Sequence, residues 1–509
     1  MEVSITRWTD ERISSVRAGI MYDRADPYHM DSNTIRSATE RLLVRDIDAH
    51  TEAIETLSEE GDDRVVPHLL DVLVIDAIAS EWGRFGFPET MRSRDPPRYL
   101  ELPDARWPGT QRALERITGE RFDSDHAWVE WETWYSQRSF EPLEGYEEWK
   151  RRLYLTYLPP VGALLHTEPL TFDLRDLRWG NCDPSFLAAL NEPELVDPAT
   201  VIDPVESSAP DTTGHDATTT SDSGTPRLED GDTVFAFEVE DVSVAVPRWL
   251  LFPHELLNVT VAGVPLSLTF CTLCNAPICY DRRVADEVVT FGNSGMLLEG
   301  NKVMYDEETR TLWSQHRGTP IGGTLVDSDP NLNVVPVSQT TWGEWRNEHP
   351  ETVVPTTDTG YGYDYARYKG DLGIFRHYWD GTAVQPGVRT ADGTLDEKTP
   401  VYGVEHGDRL LAFPIDRVRE TGLLRGEIDG TMYVAAVTTV GDVSVFSWPA
   451  DSPPPVEAVE GGIVDAEGTT WRGGDGNLTD GTDEASAVPA KRGLWFAFRL
   501  GYDDTVVVE

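Results

Sequence analysis

The residues best suited to chemistry are three cysteines within nine positions. They lie in GVPLSLTFCTLCNAPICYDRR, residues 263–283, as Cys271, Cys274 and Cys279. The chain of 509 residues holds one other, Cys182. Four cysteines over this length do not make a disulfide scaffold, so their clustering needs another explanation. The spacing C-x2-C-x4-C supports three readings. The first is a thiolate-bound transition metal or other cofactor, with His316 or His254 as a further ligand and Asn275 in a supporting position. The second is thiol–disulfide cycling between Cys271 and Cys274. The third is structural: small buried side chains around a tight turn. Asp281 and Arg282 adjoin the cluster as candidate helpers.

These side chains need strands to position them. Alternation along LSLTFC sends Leu266, Leu268 and Phe270 to one face and Ser267, Thr269 and Cys271 to the other. Cys274 then falls in a turn and Cys279 in the next strand. A tight connection over 272–278 would bring Cys271 and Cys279 together across it. From Thr233 onward the hydrophobic period is two, as in VFAFEVE and VSVAVP, which predicts a β-rich region.

That region repeats itself. Ala245-Val246-Pro247 matches Ala412-Phe413-Pro414, and Gly263 matches Gly430 at the same offset. VMYDEETRTLW (303–313) corresponds to GIVDAEGTTW (462–471), with Asp306 and Trp313 matched by Asp465 and Trp471. TWGEWRNEHPETVV (341–354) corresponds to LWFAFRLGYDDTVV (494–507). Four matches in one order predict two related units, 235–354 and 402–507, forming one pseudo-symmetric core. Cys271 aligns with Thr438 and Cys274 with Gly441, so only one unit carries these cysteines.

The stretches 263–283, FGNSGMLLEGNKVMYDEETRTLWSQHRGTPIGG, TWGEWRNEHPETVV and VYGVEHGDRLLAFPIDRV resemble the DUF3179 family of bacterial and archaeal proteins. The motifs that carry the resemblance are Cys271/Cys274/Asn275, Met304-Tyr305-Asp306 and Trp313-Ser314-Gln315. The resemblance covers residues from about 235 to 507 and implies one domain over 233–507. It implies no particular reaction.

Upstream, the period changes to that of helices. Residues 32–80 place Ile35, Leu42, Leu43, Ile47, Ile54 and Leu57 near one face, then turn at Glu60–Asp63 into VVPHLLDVLVIDAIA. The segment DDRVVPHLLDVL resembles a HEAT-like repeat, an architecture that usually supplies interaction surface. Trp128, Trp131 and Trp134 recur at spacing three and predict a buried aromatic stripe. The fold class expected is therefore multidomain α+β. An N-terminal extension (1–31) precedes a small α-helical HEAT-like domain (32–165). A connecting segment (166–201) and an acidic Ser/Thr/Pro-rich linker (202–232) lead to the duplicated β-rich domain (233–507). The linker holds too few large apolar groups to offset its ordering entropy, and His215 lies within it.

Composition restricts the function classes. The formal net charge is -46, from 89 Asp+Glu against 43 Lys+Arg, and it is spread from Glu2 to Glu509. Lysine occurs only at 150, 302, 369, 398 and 491. Such a surface stays soluble in high salt, which also screens its self-repulsion, so an archaeal, halophilic cytoplasm is the expected setting. Nucleic acid is not an expected partner, since phosphate backbones require clustered cations. No apolar run reaches ~18 residues, so no membrane span is expected, and MEVSITRWTDERISSV lacks the apolar core of an export signal. Phosphate-loop, dinucleotide, GxSxG and HExxH motifs are absent. What remains is a DUF3179-like protein that binds metal or a cofactor through its cysteines, cycles them as a redox pair, or engages a protein partner through its helical region.

Overall fold

A computed structural model describes residues 32–85, 107–202 and 226–509, apart from single residues and short stretches such as 371–377 and 438–442. The extension 1–31, most of the linker including His215, and the aligned Thr438 and Gly441 lie outside the described residues.

The described residues between 32 and 165 form helices with short connections, as the period predicts. The long first helix divides in two, Ser32–Arg41 and Ile47–Glu60. The break falls where Asp46 leaves the helix and caps the next one, its Oδ1 accepting from Ala49 N at 2.8 Å. Trp131 is fully buried, and Trp128 and Trp134 pack against the same core. That core is shared with the β region. It joins Leu73, Trp131 and Leu153 from the helices to Met296, Val303, Tyr305 and Leu312 from the strands. One face of the helical bundle is thus consumed within the chain.

The duplication is visible strand by strand. In the first unit, Thr233–Val239 and Val242–Pro247 form a hairpin with Ser338–Thr341 on its outer edge. In the second, Pro400–His406 and Arg409–Pro414 form the hairpin and Lys491–Leu494 the edge. A short helix follows each hairpin after the matched proline, Arg248–Leu251 or Ile415–Thr421. Each unit closes with an aromatic helix, Trp342–Glu348 or Trp495–Gly501. The chain then runs parallel to the hairpin, through the Val244–Val353 bridge in one unit and Asp504–Val507 in the other. The glycine match is explained by turn geometry. Ala262-Gly263 (φ 50° and 81°) and Asp429-Gly430 (φ 50° and 79°) are two-residue turns with both positions left-handed. Such turns favour glycine and match the twist of a hairpin.

The units differ in how their larger sheets close. In the second, eight strands from Leu423–Ile428 round to Pro455–Val459 make a nearly closed barrel, open only between those two strands. In the first, the equivalent seam lies between Leu256–Val261 and Phe291–Leu298. There segment 166–201 contributes the new edges. Leu190–Asn191 pairs parallel with the first strand, and Leu177–Trp179 pairs antiparallel with the second. Asn258 spans the seam, donating to Phe291 O at 2.8 Å and to Asn191 Oδ1 at 2.7 Å. The upstream chain, expected as a connection, therefore completes two sheets of five strands.

Candidate dithiol site

The cysteine hairpin joins strands Val264–Cys271 and Ala276–Asp281 through four residues, 272–275. Asn275 ends the turn at φ 46°, a left-handed position that asparagine tolerates better than most residues. The hairpin register opposes Cys271 to Ala276 and Leu268 to Cys279. This corrects the expectation that Cys271 and Cys279 meet. The turn takes only four residues, so Cys279 lies three rungs down the ladder. Its parity places it on the face of Leu266, Leu268 and Phe270, in a different apolar cluster. Burial, with the charge of Asp281 adding to it, pushes the Cys279 thiol far above its ordinary range.

Cys271 and Cys274 do come together. Their Sγ atoms are 2.7 Å apart, and both thiols are free and buried. Alternation holds Cys271 off the Phe270 face, as expected, but the opposite face is also covered. Ala276, Val388, Leu494, Phe496 and Ala497 surround the pair. Cys274 Sγ lies 3.2 Å from Gly300 O, and Asn301 Nδ2 donates to it at 3.5 Å. The other Asn301 N–H reaches Gln315 Oε1 at 2.8 Å. Gln315 in turn donates to Thr269 Oγ1 (2.9 Å) and Ala276 O (3.1 Å). The Trp-Ser-Gln motif thus ties the strand at 301 to the cysteine hairpin.

A buried ion pair stands beside the dithiol. Lys302 Nζ is 2.9 Å from Glu255 Oε2, and Thr272, the residue after Cys271, donates to Glu255 Oε1 at 2.6 Å. The environment separates the two thiols. Burial opposes ionisation of Cys271, yet the adjacent Cys274 S–H brings it below the ordinary thiol value, with Lys302 assisting and Glu255 resisting. Cys274 moves well above that value, through burial first and then through its hydrogen bond to Cys271. The two thiols are thus shifted in opposite directions, Cys271 down and Cys274 up.

The remaining candidates lie elsewhere. His254 is held between Ala188 O and Tyr365 OH, each 2.8 Å from a ring nitrogen. His316 stacks on Phe498 with centroids 4.6 Å apart; burial, then the Lys491 charge, lowers it to about 3 and keeps it neutral. Asp281 and Arg282 sit at the far end of their strand. Asp281 pairs with Arg283, whereas Arg282 donates to Leu266 O and to Glu192. Among the described residues, no three His, Cys, Asp or Glu side chains converge to hold one metal ion. The proposed ligand set Cys271, Cys274, Cys279, His316 and His254 is therefore not assembled, because strand parity separates Cys279 and hydrogen bonds occupy His254.

Motif reading missed several neighbours. Tyr378 donates to Gln385 Oε1 at 2.5 Å, Gln385 donates to Gly300 O at 2.7 Å, and Trp379 Nε1 donates to Thr272 O at 2.8 Å. These come from the stretch between the units, and Phe496 comes from the second unit. Leu494 N donates to Cys274 O at 2.9 Å. The site is built where the two units meet. One signal was available in the sequence. Lysine is scarce in this chain, and each of the five has a specific contact, Lys302 among them.

The fold and site define a class: a two-unit β protein with an appended helical bundle and a buried dithiol at the junction of its units. A family model for "Protein of unknown function (DUF3179)" matches residues 211–505, more than half of the chain. The chain belongs to the DUF3179 family. No curated protein matches it, and no solved structure does. Among the described residues, no helix is long and apolar enough to cross a membrane.

Proposed function

We propose that this protein is a thiol–disulfide redox protein whose working group is the Cys271–Cys274 pair. The observation that carries the reading is the 2.7 Å separation of the two sulfurs. A disulfide bond needs about 2.05 Å, so closure requires less than about 1 Å of movement at the sulfurs. The contrasting environments of the thiols supply a nucleophile and a proton donor, the division of labour that exchange chemistry requires. The second unit keeps the surrounding strands without these cysteines, so the scaffold does not depend on them. A metal reading is less well supported, because a tetrahedral thiolate site needs four ligands and only two sulfurs meet.

The test is thiol counting with intact mass on the native chain, before and after oxidation and with metals measured on protein purified without chelator. Oxidation should remove two of four thiols and lower the mass by roughly 2 Da. Cys271→Ala and Cys274→Ser should each abolish that change, and Cys279→Ala should not. Stoichiometric metal released by Cys271→Ala, or four thiols that persist under every oxidant, would overturn the proposal. We also propose that the dispersed negative charge is an adaptation to concentrated salt.

A further inference from the structure

We infer that the dithiol is closed by a size-selective cover that admits a small neutral oxidant of the hydrogen peroxide class and excludes disulfides carried on other proteins. The inference rests on the redox reading above and names the substrate class of that site.

The cover is made of side chains from outside the cysteine hairpin. Phe496, Ala497 and Leu494 press on the pair from the second unit, and Val388 does so from the stretch between the units. Cys271 is 2% exposed and Cys274 is 0% exposed. A protein disulfide must bring its own sulfur into line with the attacking sulfur, which demands a surface opening of several side chains. Among the described residues no such opening reaches either sulfur. The cover is also latched by directed bonds. Trp379 Nε1 holds Thr272 O in the hairpin turn, and Gln385 Nε2 holds Gly300 O, the same carbonyl that lies 3.2 Å from Cys274 Sγ. Gln137 of the helical bundle donates to the Val388 carbonyl at 3.2 Å. Gly387 lies against Arg178, where an added Cβ would come within 3.0 Å of Nε. The cover therefore leans on the helical region, which gives that region a part in controlling access.

The chemistry balances with peroxide alone as oxidant. The Cys271 thiolate attacks one peroxide oxygen, and the O–O bond breaks. The departing hydroxide leaves as water after taking the proton that Cys271 released. Cys271 is left as a sulfenic acid. The Cys274 sulfur then attacks the Cys271 sulfur. The S–S bond forms, the S–O bond breaks, and the hydroxyl leaves as a second water with the Cys274 proton. Two thiols are oxidised by two electrons and one peroxide is reduced to two waters. The 2.7 Å approach makes the second step local, so the sulfenic acid needs no outside thiol.

The experiment compares hydrogen peroxide with a small protein bearing an exposed disulfide, supplied at equal oxidising equivalents to the full-length chain. Loss of thiols and the mass of the product are followed in time. Peroxide should form the Cys271–Cys274 bond faster by roughly tenfold or more. Gln385→Ala and Trp379→Ala should raise the rate with the protein disulfide by a larger factor than they change the rate with peroxide. Equal rates for both oxidants in the native chain would overturn the cover, as would latch variants that gain nothing with the protein disulfide. Should a latch variant unfold, iodoacetamide and a polymer-linked maleimide applied to the native chain give the same comparison. Equal labelling of Cys271 by both would refute the inference. If neither oxidant forms the bond even in folded latch variants, it is the redox reading that fails and not the cover.

Discussion

Asp306→Asn tests whether the repeated Asp–Trp pair is a structural clamp. In the first unit the Asp306 carboxylate, fully buried, accepts from Trp313 Nε1 at 2.9 Å, Thr309 Oγ1 at 2.8 Å and Thr309 N at 2.5 Å. In the second, Asp465 Oδ2 accepts from Trp471 Nε1 at 3.0 Å, and its other oxygen takes Glu467 N and Thr469 N. Asparagine keeps the volume and one acceptor oxygen, which can retain the bond to Thr309 N. Its amide then faces the indole N–H, donor against donor. A buried donor without an acceptor costs about 1–3 kcal/mol, and a hydrogen bond to a charged group contributes about 1.5–3 kcal/mol. Since one acceptor survives, the expected loss is about 3 kcal/mol. Trp313→Phe removes the orphaned N–H, so the double variant should lose about 1–2 kcal/mol less than the sum of the single changes. Equilibrium urea unfolding, followed by circular dichroism in concentrated salt, measures all four proteins. A single variant within about 0.5 kcal/mol of the parent, or strict additivity in the double variant, would refute the clamp.

Four further outcomes follow from the same structure. The melting temperature should rise between roughly 0.1 M and 3 M salt, because screening relieves carboxylate repulsion; an unchanged melting temperature would remove the high-salt adaptation. His316, lowered to about 3 in the fold, takes its proton in the unfolded chain first as pH falls below its ordinary value of 6.5. Its contribution is therefore present above 6.5 and is lost from 6.5 towards 3, and His316→Gln should flatten the acid side of a stability–pH curve by roughly 2 kcal/mol at pH 5. Glu132 has the opposite sign: burial raises it to about 7, with Arg178 opposing, so its contribution fades as pH rises from 4.5 through 7, and Glu132→Gln should remove that decline in urea midpoints. At the hairpin turn, Asn275→Gly should be nearly neutral and Asn275→Ala should cost roughly 1 kcal/mol, read from the same unfolding curves, because alanine at φ 46° meets the left-handed penalty.

The sequence by itself determined the local grammar of this protein. The switch from helical to alternating periodicity marked the β region, since periodicity records which face of each element is buried. The matched Ala-Pro segments, the glycines at 263 and 430 and the Asp–Trp pairs disclosed two units, because hairpin turns and turn-closing carboxylates impose the same residue types wherever the same local geometry recurs. The Cys271–Cys274 pair was legible for a similar reason: three residues of spacing in a turn leave few ways to keep two sulfurs apart.

Tertiary structure alone decided the rest. Strand alternation could not say where Cys279 points until the loop length fixed the register, and one rung of slippage reverses every side chain. Nor does any local pattern announce that Leu177–Trp179 and Leu190–Asn191 take the two edges of the first unit's seam, or that Tyr378, Gln385 and Phe496 close over the dithiol. Those contacts join positions up to hundreds of residues apart. They depend on which apolar faces remain uncovered after the local elements have formed, and that is settled only when the two units and the helical bundle pack together.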